Sequence, residues 1–154
     1  MKQIIYVMQF KGKAGPGASA NVMKAATSSP STTVTTVVGA EGVQGKIEPA
    51  AGGKAEFESE VTITGDTSFV ERGSIRFGDR NRLHFSSIDH GYLGDSPDPK
   101  LKSGAVMWRV DSGEGQFAGA SGYITSNFTL SDEGDVIDNQ FGVIFVKLSR
   151  QPNP

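Results

Sequence analysis

The chain has no cysteine among its 154 residues, only two histidines and a single tryptophan. Without cysteine there is no disulfide framework, no thiolate metal site and no cysteine nucleophile. Two histidines without thiols supply too few of the usual ligands for zinc, so no metal is expected. A basic excess is missing as well: 15 lysines and arginines face 17 acidic residues, for a formal charge of −2. Nothing here would neutralise a row of phosphates, and nucleic acid is not an expected partner. No hydrophobic run approaches the roughly 18 residues of a membrane helix, so no membrane partner is expected. The opening "MKQIIYVMQFKGK" makes a poor signal peptide, because its short apolar run is broken at Gln9 and followed by lysines. Small residues in "AGPGASA" imitate a cleavage site, but the expectation is a cytoplasmic protein. Helical periodicity is nearly absent too.

What is present is glycine, at 20 positions, and period-two alternation from end to end. The length suits one domain, expected over residues 1–150 with a tail at 151–154. Ile4, Tyr6, Met8 and Phe10 share one face of a first strand. "GKAGPGASANVMKAATSSPS" reads as a long loop with at most a short helix near Ala20 to Ala26, and "EPAAGGK" as a turn. Between them, Thr32 to Val38 is a β-branched strand. "AEFESEVTITG" alternates cleanly, with Phe57, Ser59, Val61 and Ile63 opposite Glu56, Glu58 and Glu60. Those glutamates read as a solvated face. Further strands follow at "SFVERGSIRFG", "NRLHFSSID", "AVMWRVD", "SGYITSNFTLS" and "VIDNQFGVIFVKLS". The connections are too short for crossover helices, so the strands are antiparallel. The fold class is therefore all-β: about eight antiparallel strands in a closed barrel, with one long loop or short helix after the first strand. The last strand is apolar on both faces, which calls for a second cover over residues 136–148. The stretch around residues 12–31 or a neighbouring subunit could provide it; a subunit is favoured, so a homo-oligomer is expected.

Between residues 113 and 123 the chain reads "GEGQFAGASGY". As a phosphate cradle it fails. Its first three glycines are spaced G-x-G-x-x-x-G, and the following "SGYITSNFTL" alternates like a strand instead of opening a helix. Glycine also serves sharp strand connections, and Phe117 is placed to plug a barrel end. The stretch resembles the G-x-G-x-F-x-G-A-x-G element of allene oxide cyclase and dirigent-like barrels and of related calycin-like bacterial proteins, with matching spacing over residues 104–148. The resemblance implies an eight-stranded barrel whose lumen holds an apolar small molecule, in dimers or trimers. It also implies chemistry that steers hydrophobic intermediates to cyclised or coupled products, by shape and a few polar groups, with no cofactor.

The candidate site residues are polar groups set among apolar ones. Glu71 lies in a row with Phe69, Gly73, Ile75 and Phe77, where burial would raise its pKa and suit it to acid or base work. The bland alternative is a carboxylate paired with an arginine or lying at a rim. His90 and Tyr92, in "DHGY", open the longest loop, as mouth residues do. These three are the catalytic candidates. Tyr6, Phe69, Trp108, Arg109, Tyr123 and Asp138 are ligand-binding candidates. Trp108 and Arg109 point to opposite faces, so only one joins the lumen. Asp138 follows the "DEGD" turn and is expected at a rim. Three functions remain open: a cofactor-independent cyclase or isomerase, a non-catalytic binder of an apolar molecule, and a structural oligomerising module. A lumen below roughly 300 Å³, the lower end of ligand pockets, would sink both ligand readings and leave the last.

Overall fold

The computed structural model describes residues 1–148, so the expected tail at 151–154 lies outside it. All strands belong to one antiparallel sheet: β1 (Lys2–Pro16), β2 (Val22–Gly39), β3 (Gly42–Ile63), β4 (Ser68–Phe77), β5 (Asn81–Ser87), β6 (Gly91–Asp95), β7 (Leu101–Glu114), β8 (Ser121–Ser131) and β9 (Asp135–Val146). Each strand pairs with its sequence neighbour or across one short gap. β1–β9 and β3–β4 pairing makes the sheet ring-like. β5 and β6 both lie between β4 and β7, so nine strands fill eight places in the ring. The break between them falls at Ile88–His90, where Asp89 has a φ of 56°.

Alternation sets the inner face. Phe10, Phe57, Phe69, Ile75, Leu83, Phe85, Val106, Trp108, Ile124 and Ile144 are all buried. The outward glutamates of β3 meet basic residues: Glu56 with Arg76 and Lys54, and Glu60 with Arg72. Aromatic rings fill much of the interior. Phe85 and Trp108 lie 4.4 Å apart by ring centroid, and Phe57 stacks on Phe85 at 5.4 Å.

The glycine stretch is a strand connection. A single 3₁₀ turn, Gly115–Phe117, joins β7 to β8, with Gly115 and Gly119 at φ of 66° and 71°. A side chain at either position would be strained, and one at Gly115 would also meet the Arg80 carbonyl at 2.3 Å. Phe117 is buried and packs on Phe77 at 5.4 Å, and Phe77 in turn packs on Tyr6 at 5.3 Å. One end of the ring is thus closed by aromatic side chains.

Two expectations about the first third of the chain are corrected. Residues 12–31 are mostly strand and hold no helix: β1 runs to Pro16 and β2 starts at Val22, a hairpin with Lys11–Pro16 opposite Met23–Ser28, and only residues 17–21 form the connection. "EPAAGGK" is no turn, because it lies within β3. The reversal is at the tip, between Gly39 and Gly42. Beyond a register shift at Pro30/Thr32, β2 and β3 pair only with each other and project as a two-stranded arm with Val34, Val37, Val38 and Val43 exposed. The segment looked like a loop because its side chains are small. Pairing with both β1 and β3 satisfies the backbone of residues 23–28 all the same.

Candidate functional site

The other end of the ring contains a cavity of about 70 Å³. Phe57, Trp108, Ser126 and Asp138 line its inner part. Towards the turns after β1, β3 and β8 it is lined by Ala14, Met23, Ala25, Val61, Leu93, Phe128, Leu130 and Val136. Phe69, Glu71 and Thr27 complete the wall, and Lys24 stands exposed at the opening. The lining is overwhelmingly apolar.

Two carboxyl groups face this cavity from different strands, and each is held the same way. On β4, Glu71 accepts the Trp108 indole N–H at Oε1 (3.1 Å) and the Ser59 hydroxyl at Oε2 (2.6 Å). On β9, Asp138 accepts the Ser126 hydroxyl at Oδ1 (2.6 Å) and the Gln140 amide at Oδ2 (2.8 Å). Each carboxyl thus accepts from one N–H group and one hydroxyl, and the hydroxyl can either donate or accept. Both protonation states can therefore be hydrogen-bonded without moving the carbon skeleton.

Burial decides their acidity. It raises Glu71 to about 7, Ser59 and Trp108 pulling the other way and the Asp138 charge adding to the rise. Burial likewise raises Asp138 to about 6 against the bonds from Ser126 and Gln140. Removing an ion from water costs more than two neutral donors return. The Tyr6 hydroxyl donates to Gln140 Oε1 at 3.1 Å, and burial, with a smaller push from Asp138, holds it well above the ordinary tyrosine value.

Local backbone features explain the position of Glu71. It lies opposite the break between β5 and β6, so its backbone N–H donates to the Ser87 hydroxyl at 3.0 Å instead of to a ladder carbonyl. Two residues on, Gly73 faces Ser59 across β3. A Cβ at Gly73 would stand 2.1 Å from the Glu58 carbonyl oxygen and 2.9 Å from Ser59 Cβ. The close approach of β3 and β4 that glycine permits is what carries Ser59 to the carboxylate.

The expected site residues divide into two groups. Glu71, Phe69, Trp108 and Asp138 meet in the cavity wall, and Tyr6 reaches Asp138 through Gln140. Asp138 corrects the expectation of a rim position: it is buried, because the alternation started by Val136 turns it inward. The others lie elsewhere. His90 is exposed at the wall break, and Tyr92 and Tyr123 are 54% and 60% exposed on the outer surface. Arg109 points outward near Asp111 at 3.9 Å. "DHGY" is not a mouth, since the break it marks lies mid-wall, where β4 and β7 exchange β5 for β6. Sequence reasoning missed Thr27, Ala25 and Ala14, which lay in the stretch read as a loop, and Ser126, whose inward alternation with Ile124 and Phe128 could have revealed it.

No protein-family model matches the chain, and no curated protein is similar to it in sequence. Among solved structures, the pterocarpan synthase dirigent protein GePTS1 is similar, with a TM-score of 0.56 over 96% of this chain and 89% of that one, at 14% identity. At that identity the likeness is one of fold, and the chain has the dirigent-like barrel architecture that the glycine motif suggested.

Proposed function

We propose that this barrel binds an apolar small molecule at the open end of its lumen and moves a proton on it without a cofactor, as a cyclase or isomerase does. One observation carries the reading: two carboxyl groups poised near neutrality share one apolar cavity. With Glu71 the weaker acid, the pair near pH 7 tends to hold its proton there, so Glu71 is the donor and Asp138 the acceptor. A proton given to the ligand by Glu71 and another taken from it by Asp138 leave its composition unchanged. That balance is what an isomerisation or a ring closure requires, and proton return from Asp138 to Glu71 resets the pair. The apolar walls would shape the ligand, and the dirigent-like fold is compatible with such a role. His90 and Tyr92, on the outer surface, have no part in this reading.

The second reading is the structural module, and cavity size favours it: by the size criterion above, the lumen as it stands holds no ligand. About 70 Å³ is well under the roughly 300 Å³ of typical ligand pockets, and under the roughly 150 Å³ of a cavity that holds benzene. Binding therefore requires the half-buried side chains Met23, Leu93 and Leu130 at the opening to swing aside. Native mass spectrometry of the purified protein, with small aromatic alcohols added, separates the two. A one-to-one adduct that is lost on filling the cavity with Ala25→Phe supports the ligand reading. No adduct at any concentration leaves the module.

We also propose a homo-oligomer. On the outer face, β1, β9, β8 and β7 place Ile5, Val143, Tyr123 and Arg109 in one row, with Val7, Phe141, Thr125 and Met107 in the next. Ile5, Tyr123 and Phe141 are exposed large apolar side chains that flank Val7 and Val143, a patch of the kind a second copy covers.

A further inference from the structure

We infer that Thr27 is the residue that selects the ligand: its hydroxyl hydrogen-bonds an oxygen-bearing apolar molecule, a phenol or an alcohol, and so prefers it to the hydrocarbon of the same shape. The inference rests on the ligand reading above and adds the chemical class of the ligand.

Thr27 is on β2, in the inward row with Ala25 and Ser29, and forms part of the cavity wall. It is only 7% exposed, and its Oγ1 is buried without a hydrogen-bond partner. Among the described residues no other buried side-chain nitrogen or oxygen is left in that state. A buried hydroxyl without a protein partner is costly unless something else in the cavity bonds to it. No surrounding side chain or backbone group is its hydrogen-bond partner. Its cross-strand neighbours are Gly12 on β1 and Phe57 on β3, neither with a polar side-chain atom. Along its own strand, Ser29 donates its hydroxyl to the Pro30 carbonyl at 2.8 Å. The carboxyl groups of Glu71 and Asp138 share the cavity wall with Thr27, yet neither is its hydrogen-bond partner.

A valine would have the same shape, suit a strand better and leave no unmet hydroxyl. Of the buried polar side chains in that wall, Glu71, Ser126 and Asp138 are hydrogen-bonded to other residues, and Thr27 is not. That is the pattern of a group whose partner arrives with the ligand. A hydroxyl can donate or accept, so the ligand class is a neutral molecule with one oxygen on an apolar body.

The test uses phenol and toluene as probes, binding being read from the single tryptophan indole N–H peak in ¹H–¹⁵N spectra of the full chain. The native protein is expected to bind phenol about tenfold more tightly than toluene, the factor that one added neutral hydrogen bond supplies. Thr27→Val should melt at the same or a higher temperature, yet bind the two probes within about twofold of one another. Thr27→Ser should keep the phenol preference. Equal binding of phenol and toluene by the native protein overturns the inference but leaves the cavity a ligand site. So does a Thr27→Val protein that melts lower and retains the preference, since the hydroxyl is then structural. If neither probe moves the Trp108 signal, the ligand reading itself fails, and this inference with it.

Discussion

The indole N–H of Trp108 and Oε1 of Glu71 lie 3.1 Å apart inside the barrel, joining the chain's single tryptophan to the only buried glutamate among the described residues. Ionisation of that carboxyl changes the charge against the indole, so tryptophan emission reports on it directly. A fluorescence titration is expected to show a transition near pH 7. Glu71→Gln should abolish it, and a transition that survives the substitution would belong to another group.

Asp138→Asn tests whether the two carboxyls act as a pair. The Asp138 charge helps raise Glu71, so its removal should move the tryptophan transition to lower pH. An unmoved midpoint would mean the two groups titrate independently and would weaken the paired acid–base reading.

Stability should depend on pH through the same group. Glu71 is raised from 4.5 to about 7, so between those values the folded chain holds a proton that the unfolded chain has lost. The unfolded state thus binds fewer protons, and stability falls as pH rises through that window, by about 3 kcal/mol in total at about 1.4 kcal/mol per pKa unit. Glu71→Gln can accept from Trp108 and donate to Ser59 at every pH. Urea unfolding of the two proteins at pH 5 and pH 8 should therefore differ by a few kcal/mol more at pH 8, in favour of the variant.

Gly73→Ala should disturb the site without touching it. The added Cβ would press on the Glu58 carbonyl and on Ser59, so β3 and β4 must separate and the Ser59–Glu71 bond must lengthen. Loss of a bond that favours the ionised form raises the Glu71 pKa further, which the tryptophan titration would show as a midpoint above that of the native protein. Destabilisation of about 1–3 kcal/mol should accompany it, as for overpacking elsewhere.

The outer patch makes a separate prediction. Light scattering of the native protein should give a multiple of the 16.3 kDa chain mass, and Phe141→Lys should reduce it to one chain. Phe141 is exposed and far from the inner row, so the variant should keep its fold and its tryptophan titration. A native protein that stays monomeric at high concentration would remove the oligomer.

Alternation made much of this architecture legible in advance. The faces of β3, β4, β5 and β7 follow from which side chains share parity, so Glu71 and Trp108 could be placed among apolar neighbours before any coordinates. The glycine motif likewise marked a strand connection and its aromatic plug. Asp138 had the right parity but was misjudged in depth, because nearness to a turn says little about how far a strand leans into a ring.

The sequence by itself thus determined an antiparallel all-β chain, the location of most turns and which residues share a face on most strands, because those follow from local sterics and the two-residue period. Only the tertiary structure decided what stands beside what. It brought Ser59 and Trp108 to Glu71 and Ser126 and Gln140 to Asp138, and it put both carboxyls in one apolar space that moves their acidity towards neutrality. It also turned the small residues Ala14, Ala25 and Thr27 from an apparent loop into a cavity wall. A small side chain leaves no hydrophobic signal in a sequence; the space it leaves takes form only when the neighbouring strands close around it.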